Sequence, residues 1–104
     1  MRRRGSLYIT GQTEDGQLTV GGCFKLLDTH GVPISLVVQE LKSQDLVMDW
    51  VDFCVGALKA EWTLGKAFTV LREAVGDNYS PQWRIEWETK MVHWCRERAR
   101  THGS

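Results

Sequence analysis

From Leu46 to Ala60 the chain is apolar at eleven of fifteen positions. The four exceptions, Asp49, Asp52, Gly56 and Lys59, recur three, four and three residues apart. That interval returns to one side of an α-helix. The segment predicts a helix over about 46–61, with Asp45 as its N-cap, wet along one narrow line and covered around the rest of its circumference. Such a helix needs neighbours on several sides, so the remainder of the chain has to act as its cover.

Three further helices are predicted to supply that cover. Val32-Pro33 opens one over about 33–43, because proline at an early helical position gives up only an N–H that has no partner there. Its Ile34, Val37, Val38 and Leu41 form a single apolar stripe. Thr63 is the expected N-cap of a helix over about 64–75, with Gly76 as its stop. Ser80-Pro81 opens the last, over about 81–100, whose apolar side carries Trp83, Trp87, Met91, Trp94 and Cys95. Ahead of the helices, Leu7, Ile9, Leu18 and Val20 alternate with polar residues around Asp15-Gly16. This is the pattern of a β-hairpin over 6–22. Residues 23–27 fit either an extension of the sheet or a turn of helix. The 104 residues thus predict one small α+β domain, mostly α, with an N-terminal β-hairpin packed on a bundle of about four helices.

Charge is balanced overall, 13 basic against 13 acidic side chains, but it is segregated. Arg2, Arg3 and Arg4 open the chain, and Lys90, Arg96, Arg98 and Arg100 lie near its end. Residues 5–89 carry six basic and twelve acidic groups. The basic start is not followed by an apolar stretch of signal-peptide length. No run approaches the 18 or so apolar residues of a membrane span. Cys23, Cys54 and Cys95 are odd in number and widely spaced, which suits a reducing compartment. A cytoplasmic protein without membrane contact is the expectation.

No catalytic set emerges. His93 and Cys95 are two residues apart, roughly 200° around a helix from one another. No zinc-ligand spacing, nucleotide loop or paired-carboxylate cleft is spelled out. Neither enzyme activity, nor a metal, nor a cofactor is predicted. The five tryptophans are the unusual component. Indoles offer a large apolar area and one donor, and they favour interfaces. Trp50, Trp83 and Trp87, with the polar line through Asp49 and Asp52, are therefore the candidate partner-binding residues. Either the helices that carry them cover each other, or a surplus face meets a second protein or a second copy of the chain in a homodimer.

These features point first to a non-enzymatic protein-binding module, a small inhibitor or adaptor acting on a nucleic-acid-handling partner. In general type it is similar to the small inhibitors that phage and mobile elements encode. One alternative is a helix-turn-helix-like DNA-binding regulator. In it Thr63, Lys66, Thr69 and Arg72 would form the reading face, Arg96, Arg98 and Arg100 would add phosphate contacts, and the hairpin would serve as a wing. The sequence pI of about 6.8 makes such binding weak, because a DNA-binding domain normally shows a basic footprint. Another alternative is a structural or assembly subunit of a larger particle.

Overall fold

The computed structural model describes residues 7–103, with side chains described as far as His93. The predicted hairpin is present as β1 (Tyr8–Gln12) and β2 (Leu18–Gly21), paired antiparallel. An Asp-Gly turn can hold both of its central residues at positive φ, and this one does not. The Gly16 N–H closes on the Thr13 carbonyl at 3.0 Å, and only Gly16, at φ 89°, enters the left-handed region. Five helices follow rather than about four: α1 (Cys23–His30), α2 (Ile34–Ser43), α3 (Trp50–Lys59), α4 (Leu64–Asn78) and α5 (Pro81–Gly103). The architecture is α+β, mostly α, as the periodicities require.

The stretch left open at 23–27 is helical. Gly22, at φ 88°, turns the chain from β2 directly into α1, a conformation that a residue with a Cβ resists.

The larger correction concerns the apolar segment. Leu46–Met48 is not the first turn of a helix but a third strand, β3, which runs parallel to β2. Parallel neighbours need a crossover connection, and α1 and α2 provide it. Asp45 is accordingly not an N-cap. It sits at φ 62° behind α2, its N–H on the Lys42 carbonyl, and turns the chain into β3. The N-cap of α3 is Asp49, whose carboxylate accepts the Asp52 N–H at 3.0 Å.

Two other boundaries move. Gly76 does not stop α4, which continues to Asn78, and α5 runs on to Gly103.

The core joins every layer. Val20 and Met48 come from the sheet, Phe24 from α1, and Val38 and Leu41 from α2. Phe53 and Ala57 of α3, Leu71 and Val75 of α4, and Trp87 and Met91 of α5 complete it. Ala67 and Ala74 on α4 are fully buried, and α4 packs against both α2 and α3. Among the described residues no helix is long and apolar enough to cross a membrane.

Candidate functional site

The sheet order is β1-β2-β3, so β2 is central and β1 has a neighbour on one side only. All five residues of β1 are exposed, whereas β2 ends in two buried residues. The strand lies beyond the helical cover. Tyr8 and Ile9 are 51% and 54% exposed, and Leu18 on β2 is also exposed. An edge strand presents unpaired N–H and C=O groups that can accept another strand. Natural edges are guarded by lysine, proline or a bulge. Residues 7–12 include neither lysine nor proline nor any other charge. The guard present is a register shift between Ile9 and Gly11.

What holds this edge in place is Asp52. Its Oδ2 accepts the Gly22 N–H at 2.8 Å and its Oδ1 accepts the Tyr8 hydroxyl at 3.0 Å. The aromatic ring of Tyr8 lies against Gly21, where an added Cβ would come within 2.9 Å of it. Hydrogen bonding to Asp52, and then the charge of that carboxylate, raise the Tyr8 phenol above its usual value. Asp49 and Asp52, expected on a partner-binding line, thus serve contacts within the chain: one caps α3 and the other ties β1 and the β2–α1 joint to it.

The three candidate tryptophans are brought together. Trp50 meets Trp87 edge-on at 5.6 Å and Trp83 at 6.3 Å, and Tyr79 stacks on Trp83 at 3.8 Å. Trp50 and Trp87 are only 5% and 4% exposed. Of the two outcomes the sequence allowed, mutual cover holds for this pair. Trp83 is half-buried.

The residues of the alternative nucleic-acid face are exposed on α4 but already engaged. The Thr63 hydroxyl caps the helix through the Lys66 N–H, and the Lys66 ammonium lies 4.2 Å from the Trp62 ring centre. The Thr69 hydroxyl bonds back to the Gly65 carbonyl, and Arg72 pairs with Glu88 at 3.1 Å. The hairpin tip that would be a wing carries Glu14 and Asp15, which a phosphate would repel. Arg96, Arg98 and Arg100 lie outside the residues whose side chains are described.

The thiol of Cys23 is buried and donates to the Val20 carbonyl at 3.8 Å. Burial, and behind it Asp52 and Asp49, push it up to about 12. A thiol so held is a poor nucleophile at neutral pH. Among the described residues no group of three or more His, Cys, Asp or Glu side chains is placed to hold a metal ion. A cleft of about 1010 Å³ opens between the hairpin tip, β3 and α5, lined by Asp15, Val47, Trp50, Lys90 and His93 among others.

Sequence reasoning singled out indoles and carboxylates and passed over the edge of β1. The signal was available: a two-stranded hairpin has two edges, and the strand from Leu7 to Gln12 has no charge to guard one. The parallel pairing of Leu18 with Leu46 also puts the hairpin turn and the α2–β3 turn at one end of the sheet. There Gln17 donates to Asp45 at 3.0 Å, so Glu14, Asp15 and Asp45 share an acidic end. The chain matches no protein-family model, no curated protein and no solved structure.

Proposed function

We propose that this chain is a non-enzymatic protein-binding module, an inhibitor or adaptor that docks its partner by strand addition to β1. The observation that supports this reading most is the uncovered edge: five consecutive exposed residues with no charge among them. Main-chain hydrogen bonds would supply affinity, and the exposed Tyr8, Ile9 and Leu18 would supply apolar contact. The acidic end beside it favours a partner with basic residues next to its docking segment, as nucleic-acid-handling proteins have.

The test is to compare proteins retained by the native chain with those retained by Ile9→Lys. Lysine on an edge is a common natural guard, and position 9 is exposed enough to take it without refolding the core. Loss of a specific partner with an unchanged circular dichroism spectrum is the expected result. Equal retention by both chains contradicts docking at β1.

A further inference from the structure

We infer that the cleft between the hairpin tip, β3 and α5 takes an extended, dipolar peptide segment. Such a segment has a basic side chain for the hairpin wall and a carboxylate for the α5 wall, on either side of an apolar residue. This rests on the reading of the chain as a protein-binding module, and it names what the partner carries beside its docking strand. Gln12, the last residue of β1, lines the cleft, so a strand laid along that edge runs on into it.

The charges of the cleft stand apart. Glu14 and Asp15 line it from the hairpin turn, and Lys90 and His93 line it from α5. Among the described residues none of these four side chains has a hydrogen-bond or ion-pair partner. Asp49 also lines the cleft, but its carboxylate caps α3 through the Asp52 N–H. The free carboxylates therefore belong to one wall and the free ammonium to the other. Exposed charges of this kind stay hydrated at little cost. What they do is set which partner is accepted and in which direction it lies. Between the walls the lining is apolar, at Val47 and Trp50. A concave apolar surface with a few polar groups at its rim is the usual form of a binding site.

Size selects the form of the occupant. The volume of about 1010 Å³ is that of a cube roughly 10 Å across, a length that three extended residues span. A helix with its side chains is about 10–12 Å thick and would not enter beside the hairpin tip. An extended segment fits both the cleft and its continuity with β1.

The test is a titration of the ¹⁵N-labelled chain with three capped tripeptides, followed by amide chemical shifts. They are acetyl-Arg-Leu-Glu-amide, acetyl-Arg-Leu-Arg-amide and acetyl-Glu-Leu-Glu-amide. The first is expected to bind saturably, with Kd of about 1 mM or below, and to move the amides of Asp15, Val47 and Lys90. The other two should bind more weakly. Glu14→Gln with Asp15→Asn should weaken the first peptide about fivefold, the effect of two exposed ion pairs. Lys90→Glu should reverse the preference, so that acetyl-Arg-Leu-Arg-amide binds better than acetyl-Arg-Leu-Glu-amide. These positions are exposed, and a thermal melt of each variant checks that it folds as the native chain does.

No saturable shift in the native chain with the first peptide overturns the inference. So does equal binding of all three peptides, or a preference that Lys90→Glu leaves unchanged. Any of these results leaves strand addition at β1 standing, provided Ile9→Lys still abolishes retention of the partner. If Ile9→Lys abolishes nothing while the peptide preferences hold, the β1 reading falls and the cleft remains.

Discussion

Both oxygens of Asp52 are taken, one by the Tyr8 hydroxyl and one by the Gly22 N–H. Hydrogen bonds to a charged group are the stronger kind, about 1.5–3 kcal/mol each when buried, and less here because Asp52 is half-buried. Asp52→Ala should therefore lower the unfolding free energy by about 2 kcal/mol, and Tyr8→Phe by well under half of that, both measured by urea titration. The pH dependence has a definite sign. The Tyr8 phenol is raised above 10.0 in the folded chain, so the folded state holds that proton more tightly than the unfolded one. Its contribution is present in full below the unfolded value and is lost as pH climbs through the folded one. Tyr8→Phe should flatten part of the alkaline fall in stability. The buried Cys23 thiol, at about 12, adds a fall of the same sign in both proteins, so the difference between them isolates Tyr8. None of this was legible in the sequence. Asp52 stands where a helix wheel puts solvent, and its partners come from Gly22 and Tyr8, 30 and 44 residues away.

The elements divide by how local their signals are. α2 lies where its stripe and Pro33 place it, and the hairpin follows its alternation and Gly16, because those signals act within a few residues. β3 was hidden because a strand buried on both faces and a buried helix are both simply apolar over three or four residues. What separates them is Asp49. An acidic cap inside an apolar run marks a helix that starts there, and leaves Leu46–Met48 to another element. Gly76 misled in the other direction. Glycine usually ends a helix, but here α4 is carried past it to Asn78. The Asn78 amide bonds to the Ala74 and Ser35 carbonyls, and the Lys42 ammonium bonds to the Asn78 carbonyl, so the last turn is held from α2. An added Cβ at Gly76 would meet only the end of Arg84, at 3.6 Å. Gly76→Ala should accordingly raise stability by about 0.5–1 kcal/mol through helix propensity and a less free unfolded chain. A lower midpoint in urea would mean that this turn is not helical.

At the scale of the molecule, the helices cover one another and the sheet is covered unevenly. The apolar surplus of α3 and the tryptophans of α5 close on each other at Trp50 and Trp87. That withdraws Trp50 and Trp87 from water and leaves Trp83 half-buried. Leu36, Leu58 and Ile85 on the helices stay exposed as single side chains, whereas at β1 the exposed part is a backbone edge, where composition carries little information and the strand order shows which strand lies outermost. Residue-resolved hydrogen exchange tests this most directly. In dilute solution, amides of β1 that do not point at β2 should exchange quickly while those of β2 stay protected, and β1 should slow when its edge is occupied by a bound protein. Slow exchange throughout β1 in the dilute monomer, or no change there on saturation, would contradict the account.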